Sequence, residues 1–317
     1  LIEISEASLY EISQSLKSEE NSSIEIVSVL GNCKKLSTVE NIFKTYEIDI
    51  VFHAAAYKHV VLVENNPLEG ISNNIVSTLN ICKSSLNHNI EKVVLISTDK
   101  AVRPTNVMGA SKRLCELIVK YYSNKGKKNR EKNTLFSIVR FGNVLGSSGS
   151  VVPLFNYQIS KGGPITLTDE NIIRYFMTIS EAVQLVLQTA SLSLGGEIFL
   201  LDMGKPMLIK ELAERMIKLS GNTLKNKENK NGTIEIITTG LRPGEKLYEE
   251  LLVEGNVINT IHKKIYISKE TDLNDENFWG NITTLIKNIE SNNKIESFKV
   301  LKKLVPEWSQ SKLIKDN

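Results

Sequence analysis

The residues best suited to chemistry stand in one stretch, residues 97–112, which reads STDKAVRPTNVMGASK. It sets a carboxylic acid, Asp99, beside an amine, Lys100, so one short segment could supply both a proton donor and a proton acceptor. For this work Asp99 would have to hold a proton, and the pKa of Lys100 would have to fall through burial and through the charge of Lys112. In isolation the pair could instead be a turn residue and a solvated cation.

The elements that must position this stretch alternate between strands and helices. Apolar runs predict strands at Leu1–Ile4, Ile24–Val29, Ile50–His53, Lys92–Ser97, Leu135–Phe141 and Glu197–Leu201, and amphipathic runs predict helices at Ala7–Leu16, Thr38–Tyr46, Pro67–Asn87, Asn106–Ser123 and Ser180–Leu194. The alternation predicts an α/β fold with a Rossmann-type doubly wound parallel sheet. Residues 98–100 would then stand at the carboxyl end of a parallel strand, where such sheets bind ligands.

Two parts are predicted. Residues 1–145, rejoined by residues 180–202, would form the dinucleotide-binding domain, and residues 146–317 would form a smaller, mainly substrate-binding α/β part. No GxGxxG loop occurs, yet Glu3 stands where a Rossmann-type domain has the acidic residue of its second strand. We therefore expect the chain to be truncated, with the first strand and the glycine loop upstream, and a chain without them to be poorly stable.

Composition excludes several classes of protein. The 317 residues are 41% hydrophobic and 24% charged, with a net charge of +3, which describes a globular protein and gives no case for nucleic acid. No run approaches the about 18 apolar residues that span a bilayer. Cys33, Cys82 and Cys115 form no CxxC pair and no ligand cluster with histidines, so we expect buried, reduced thiols, no metal site and a cytoplasmic setting.

Five motifs, in this order, resemble one family. They are HAAAYKHV (residues 53–60), the stretch 97–112, RFGNVLG (140–146), RYFMT (174–178) and LRPGEKL (241–247). The set is similar to the extended short-chain dehydrogenase/reductase superfamily and, within it, to the CapD-like polysaccharide biosynthesis dehydratases. The resemblance covers the chain to about residue 252.

The resemblance implies a UDP-N-acetylglucosamine 4,6-dehydratase that uses NADP or NAD. A hydride would leave carbon 4 of the sugar and later return to carbon 6, so the cofactor is unchanged after each cycle. Asp99 would protonate the departing carbon 6 hydroxyl, and Lys100 would take the carbon 5 proton. Thr98 stands at the Ser/Thr position of the superfamily, and Lys112 would bind the nicotinamide ribose. The dTDP-glucose dehydratases carry Asp-Glu in place of Asp99 and Lys100, which marks a distinct branch.

One position departs from the superfamily pattern. Met108 stands four residues before Lys112, on the same helix face, where most members have a tyrosine. A thioether cannot remove the carbon 4 hydroxyl proton, although some dehydratases of this family also carry methionine here. The alternatives for this base are Lys100, Tyr57 or a water held by Lys112, in that order.

The resemblance also assigns residues to ligands. Besides Lys112, the cofactor would contact Glu3, Asn32, Ala54, Ala55 and Ala56. The substrate would contact Asn143, Ser147, Arg174 and Arg242, with Gly149 and Ser150 beside the nucleotide. The two arginines suit a diphosphate, because a guanidinium binds phosphate through two hydrogen bonds; the alternative for residues 242–245 is a turn that leads into a helix at Lys246–Leu252. His53 and His59 are expected to be structural rather than catalytic.

Two other functions stay open. A nucleotide-sugar 4-epimerase shares the fold and cofactor but relies on the tyrosine that Met108 replaces. A non-catalytic sugar-nucleotide binding module would accommodate Met108 and the lack of a glycine loop, but not the Asp99–Lys100 pair. We also expect a homo-oligomer through the helices Pro67–Asn87 and Asn106–Ser123, and attachment to the inner membrane only through upstream segments.

Overall fold

The computed structural model describes residues 1–17, 24–128, 134–250, 257–270 and 277–309. Its strands are β1 (Ile2–Glu3), β2 (Val29–Leu30), β3 (Ile50–His53), β4 (Lys92–Thr98), β5 (Leu135–Phe141), β6 (Asn143–Val144), β7 (Ile165–Leu167), β8 (Ile173–Arg174), β9 (Phe176–Met177), β10 (Ile198–Leu201), β11 (Met207–Leu208), β12 (Leu224–Lys225), β13 (Ile234–Thr238), β14 (Val257–Asn259) and β15 (Ile265–Ser268). Its helices are α1 (Glu6–Lys17), α2 (Leu36–Thr45), α3 (Val60–Asn65), α4 (Pro67–Asn87), α5 (Val107–Lys128), α6 (Val151–Ser160), α7 (Ile179–Leu192), α8 (Ile209–Leu219), α9 (Phe278–Glu290) and α10 (Lys294–Leu304).

Six strands form the main sheet, in the order β14-β15-β10-β5-β4-β3. The strands β3, β4, β5 and β10 run parallel, and β15 and β14 continue the sheet in antiparallel pairing. In β4, Val93 and Leu95 pack on the side of α4 and α5, whereas Val94 packs on the side of α7. Because helices cover both faces, these strands are apolar throughout rather than alternating. The predicted α/β class with a parallel sheet is confirmed.

Local sequence signals explain where three helices begin. Pro67 occupies the first turn of α4, where its missing N–H costs no hydrogen bond. Thr178 and Glu181 form a capping box at α7. At α5 the preceding residue caps the helix, because Asn106 Oδ1 accepts the Gly109 N–H at 2.7 Å, and Glu64 Oε1 also accepts the Val107 N–H at 2.6 Å.

A second apolar core belongs to residues 151–247. The helices α6 and α8 pack there against a parallel sheet in the order β12-β13-β7. The short pairs β6–β9 and β8–β11 connect this part to the segments that follow β5 and β10, respectively. The strand β10 then returns to the main sheet, and the helix α7 packs against that sheet.

The last described residues differ from the predicted boundary. The strands β14 and β15 extend the main sheet, and Phe278, Leu301 and Trp308 are buried in the core of α4 and α5. Residues 257–270 and 277–309 thus pack on the first part of the chain, although the prediction assigned them to the second. The helices α9 and α10 contact α4, so a second copy could use that part of the predicted α4–α5 interface only by displacing them.

The strands β1 and β2 pair with each other in a separate parallel ribbon. The strand β3 forms the edge of the main sheet, and its Ile50 and Phe52 are 42% and 40% exposed. Within the described ranges no strand lies between β1 and β3, the position of the first strand in a Rossmann-type order. None of the helices in these ranges is long and apolar enough to cross a membrane.

Candidate active site

The acid and the amine follow the end of β4. A short 3₁₀ turn, Asp99–Ala101, begins there, and Thr98 caps it. Thr98 Oγ1 accepts a hydrogen bond from Lys100 N at 3.4 Å and donates one to Asp99 Oδ1 at 2.8 Å. Gly142 follows the neighbouring strand β5, and a Cβ on it would lie 3.1 Å from Asp99 Oδ2. The glycine therefore leaves room for the carboxylate.

Lys100 is surrounded by side chains from distant parts of the chain. Its Nζ donates to Asp99 Oδ1 at 3.0 Å and to Asn143 Oδ1 at 3.4 Å, and it lies 3.6 Å from Glu249 Oε1. Burial lowers the pKa of Lys100, but the carboxylates of Asp99 and Glu249 outweigh burial and Arg174, so the pKa is raised. The prediction of a lowered pKa for Lys100 is wrong for this geometry, because the second carboxylate, Glu249, lies far from Lys100 in the sequence.

Lys112 has the opposite environment. Its Nζ donates to the Ile96 carbonyl at 2.7 Å. Burial lowers the pKa of Lys112, and Cys115 and Glu116 offset only part of that effect. Met108 lies one turn earlier on α5, is 2% exposed, and packs in the core while bordering the same cavity as Lys112. Of the two lysines, Lys112 is the one whose surroundings favour the neutral amine.

A cavity of about 880 Å³ collects most of the predicted residues. Those that line it are Ala54, Ala56, Thr98, Lys100, Met108, Lys112, Asn143, Ser147, Arg174 and Arg242. Among the described residues that were assigned to the site, Glu3, Asn32, Ala55 and Asp99 do not line it, nor does Tyr57. Asp99 is only 2% exposed. Of the two residues, Lys100 therefore borders the cavity, and the Asp99 carboxylate is buried next to Lys100.

The residues predicted to hold a dinucleotide fit that group in part. Ala54 and Ala56 follow β3 and add only methyl groups to the cavity wall. Lys112 has three ammonium hydrogens, and the Ile96 carbonyl accepts one of them. Glu3 ends β1, with Oε1 accepting the N–H groups of the next two residues at 2.8 and 2.9 Å. The small residues and the amine therefore line the cavity, whereas the acid lies outside the cavity lining on a separate two-stranded ribbon.

Asn32 and Arg174 are already engaged within the chain. Asn32 Oδ1 accepts the Lys34 N–H at 2.8 Å. The guanidinium of Arg174 donates to the carbonyls of Ile173 (2.9 Å), Lys246 (2.7 Å) and Leu247 (3.0 Å). Arg174 thus fastens the segment 246–247 to β8, and its contact with a diphosphate stays a prediction.

The motif at residues 241–247 forms a turn that docks beside Lys100. The Gly244 carbonyl accepts hydrogen bonds from Thr105 Oγ1 (2.7 Å) and Asn106 Nδ2 (3.2 Å), and Lys246 Nζ donates to the Val102 carbonyl (3.1 Å). Arg242 is exposed at the cavity rim. No helix begins at Lys246 within the described residues; Leu251 and Leu252 of the alternative prediction lie outside them.

The Gly/Ser loop at residues 146–150 forms another wall of the cavity. Gly149 has φ +67°, and a Cβ there would lie 2.3 Å from the His59 ring, so only glycine permits this approach. Ser150 precedes α6, and its buried Oγ has no hydrogen-bond partner among the described residues. The N-terminus of α6 adds a partial positive charge to a loop of this kind.

The histidines differ in position. His53 is 4% exposed and shares a 3.0 Å hydrogen bond with Thr78. Burial and the charge of Lys112 lower the pKa of His53 to about 3, so it is neutral at physiological pH. His59 borders the cavity, and burial together with Lys58 lowers its pKa. The geometry of His53 agrees with a structural role, whereas His59 packs on the glycine loop.

A buried network of ion pairs joins the ends of β4 and β5 to α5. Glu116 Oε1 accepts hydrogen bonds from Ser97 Oγ (2.6 Å) and Arg140 Nε (2.7 Å), and Glu116 Oε2 accepts one from Arg140 Nη2 (2.6 Å). Arg113 and Arg140 also contact Glu270. The network therefore connects β4, β5 and α5 directly below residue 98.

Sequence reasoning missed two important groups. The sequence indicated the Glu116–Arg140 pair only weakly. Arg140 begins the motif at residues 140–146, and Glu116 lies four residues after the stretch 97–112. Glu249 lies two residues after the last motif, and nothing local shows that it reaches Lys100. The three cysteines are buried and unpaired, as predicted, and the described residues include no group of His, Cys, Asp or Glu side chains that could hold a metal ion.

Known proteins are similar to this chain over most of its length. Residues 1–270 match the family described as polysaccharide biosynthesis protein. The capsular polysaccharide biosynthesis protein CapD of Staphylococcus aureus is 46% identical over 265 residues, which cover 83% of this chain and 42% of CapD. A UDP-glucose 4-epimerase of Rickettsia bellii is 34% identical over 223 residues, which cover 70% of this chain and 61% of the epimerase. The chain thus spans less than two thirds of the length of either relative.

A solved structure has the same architecture. Pen from Bacillus thuringiensis superimposes with a TM-score of 0.72 and 32% identity, over 86% of this chain and 80% of Pen. The predicted Rossmann-type fold of the extended short-chain dehydrogenase/reductase superfamily is confirmed. From the match over residues 1–270 and the identity to CapD, the chain belongs to the polysaccharide biosynthesis protein family and is CapD-like, as its five motifs predicted.

Proposed function

We propose that the protein is a nucleotide-sugar 4,6-dehydratase that converts UDP-N-acetylglucosamine to a UDP-4-keto-6-deoxy sugar for surface polysaccharide or glycan synthesis. The observation that carries the proposal is the 3.0 Å contact of Lys100 Nζ with Asp99 Oδ1 at the wall of the large cavity. Elimination of water adds a proton to one group and removes one from the neighbouring carbon, so a donor and an acceptor in contact suit it. CapD supports the pathway, and the Rickettsia epimerase supports a UDP-sugar as substrate.

Redox chemistry would come from a bound NAD or NADP, which takes a hydride from carbon 4 of the sugar and gives it to carbon 6. Lys112 would bind the nicotinamide ribose, Ala54 and Ala56 would lie against the cofactor, and Glu3 would bind the adenosine ribose. The diphosphate of the substrate would lie against the loop 146–150, the N-terminus of α6 and Arg242, because these offer backbone N–H groups and positive charge.

Proton transfer is the task of the chain's own residues. Passage of the Lys100 proton to Asp99 along their hydrogen bond turns the ion pair into a neutral amine and a carboxylic acid. The amine of Lys100 can then accept the carbon 5 proton. The proton of Asp99 reaches the carbon 6 hydroxyl through Thr98, whose hydroxyl bonds Asp99 and lines the cavity. When the hydride reaches carbon 6, the Lys100 ammonium returns a proton to carbon 5. The proton that leaves in the water is replaced by the one that the carbon 4 hydroxyl releases, so the protons balance over the cycle.

Among the alternatives for the carbon 4 base, the geometry supports a water held by Lys112. Tyr57 does not line the cavity. Lys100 is already assigned to the carbon 5 proton, and Lys112 is the lysine whose pKa is lowered by burial. An amine that burial makes easier to deprotonate could accept the carbon 4 hydroxyl proton through a bound water.

The direct test uses the full-length protein that contains this chain. It is incubated with UDP-N-acetylglucosamine and NAD or NADP in deuterium oxide, and the product is analysed by mass spectrometry. We expect loss of one water and uptake of deuterium at carbon 5. Lys100→Ala should reduce turnover by about 100-fold or more, the usual contribution of a positioned acid or base, whereas Lys83→Ala, at an exposed site on α4, should not.

Other outcomes identify other functions. Conversion to an isomer of unchanged mass would mean a 4-epimerase, a function that the Rickettsia relative makes the second candidate. Binding of the nucleotide sugar without any turnover would mean a non-catalytic module and would reject the roles given to Asp99 and Lys100.

A further inference from the structure

A second buried carboxylate stands in the candidate active site. The Glu249 side chain is 5% exposed and lines the cavity. Its Oε1 lies 3.6 Å from Lys100 Nζ and 3.6 Å from Arg174 Nη2. Its other oxygen, Oε2, is buried and has no hydrogen-bond partner among the described residues.

An ionised oxygen without a donor is costly when it is buried. Native proteins give such groups a partner in the chain, in water or in a ligand. Glu249 borders the cavity beside the amine that would act on the sugar, so the missing donor can come from a bound molecule. Sugars offer hydroxyl groups, and an N-acetyl sugar also offers an amide N–H.

We propose that Glu249 is a further residue of this active centre, which positions the Lys100 ammonium through Oε1 and accepts a hydrogen bond from the sugar through Oε2. The ligand class follows from the acceptor: a hydroxyl-rich sugar next to Lys100, rather than the diphosphate, which a carboxylate would repel. The sugar contact rests on the proposed function, whereas the effect on Lys100 does not depend on it.

The charged groups that face Lys100 make the first half of the proposal measurable. Asp99 and Glu249 are the carboxylates around its Nζ, Arg174 is the nearby cation, and Asn143 is a neutral acceptor. In Glu249→Gln the ammonium loses one of two negative neighbours, and Arg174 keeps only the more distant Glu245 carboxylate (3.9 Å) as a counter-charge. Both changes favour the neutral amine of Lys100.

The first experiment measures the titration of Lys100 without turnover. The full-length protein is labelled with trace acetic anhydride over a range of pH, and acetylation at Lys100 is read by peptide mass spectrometry. We expect Glu249→Gln to move the midpoint down by about one pH unit or more, since a unit charge at this distance has that effect even in water. Glu250→Gln is the matched control, because Glu250 pairs with Arg103 at the surface (3.3 Å).

An unchanged Lys100 midpoint in folded Glu249→Gln would overturn the positioning role. Glu249→Asp keeps the charge at a shorter reach and should titrate Lys100 between the wild type and the Gln variant. Should the Gln variant not fold, as judged by circular dichroism, the Asp variant carries the same test, because a wild-type midpoint there would also contradict the proposal.

The second experiment measures binding by calorimetry with UDP and UDP-N-acetylglucosamine as separate probes. Glu249→Gln should weaken the binding of UDP-N-acetylglucosamine by about 10-fold or more, as expected for one hydrogen bond to a charged group, and leave the binding of UDP unchanged. Equal weakening of both would contradict the sugar contact. No binding of UDP-N-acetylglucosamine to the wild type would reject the proposed substrate instead, and the labelling result would still decide the positioning role.

Discussion

Replacement of Glu116 by glutamine tests whether the buried ion network sustains the fold below the active site. The Glu116 side chain has no exposed surface and bonds Ser97, Arg113 and Arg140. Burial alone would raise the pKa of Glu116, but Arg140, Arg113 and the Ser97 hydroxyl together lower it from 4.5 to about 2. The folded protein therefore binds a proton at Glu116 much less readily than the unfolded chain does.

The sign and size of the effect follow from this difference. A carboxyl with a depressed pKa in the folded state stabilises the fold above its unfolded pKa and loses that contribution as the pH falls. Here the window runs from 4.5 to about 2, and at about 1.36 kcal/mol per pKa unit the contribution is about 3 kcal/mol. Glu116→Gln removes the charge and leaves Arg140 buried with Glu270, so we expect a loss of about 3–5 kcal/mol at pH 7.

Urea unfolding at pH 7, 4.5 and 3, followed by circular dichroism, measures this contribution. The difference in unfolding free energy between wild type and Glu116→Gln should shrink as the pH falls. Protonation of the unfolded chain at His53 also destabilises the fold below pH 6.5, but it affects both proteins equally. Glu91→Gln, at a side chain that is 64% exposed, is the control. A difference between wild type and Glu116→Gln that stays constant from pH 7 to 3 would refute the charge argument.

Two further substitutions test packing. Gly142→Ala places a Cβ 3.1 Å from Asp99 Oδ2, so we expect turnover to fall about 10-fold or more while the melting temperature changes little, because the cost falls on carboxylate placement; unchanged kinetics would contradict this. Trp308→Ala empties a fully buried site between α10 and the α4–α5 core, and urea unfolding should show a loss of about 3–5 kcal/mol. A loss below about 1 kcal/mol would mean that the tail packs only weakly.

Long periodic segments were predictable because their signal is local. The helix Pro67–Asn87 and the strands Ile50–His53 and Leu135–Phe141 have the predicted bounds. The predicted strand Ile24–Val29 was wrong over most of its length, since only Val29–Leu30 pairs and Ile24 is 72% exposed. β-branched residues indicate a strand only where a partner strand exists. The two-residue pairs β6–β9 and β8–β11 carry no periodic signal at all, because tertiary packing alone defines them.

In the candidate site, too, the residues that are close in sequence were predictable and the distant partners were not. Thr98, Lys100, Met108 and Lys112 were predictable because one strand end and one helix bring them together. The partners that set their charge are distant in sequence: Glu249 reaches Lys100, and Glu270 reaches Arg140. Burial of a lysine at a strand end could be anticipated, but the number of carboxylates around it could not. The predicted direction of the Lys100 pKa shift was wrong because the second carboxylate beside Lys100 could not be foreseen.

The raised pKa of Lys100 is compatible with a role as a base. Lys100 Nζ and Asp99 Oδ1 share one hydrogen bond, so a single proton shift converts cation and anion into base and acid without any exchange with solvent. A bound sugar that supplies Glu249 Oε2 with a donor would weaken the hold of that carboxylate on the ammonium and bring the neutral pair closer in free energy. The proposed sugar contact would thus weaken the effect of Glu249 on Lys100, so the neutral amine and the carboxylic acid would form more readily in the complex with substrate.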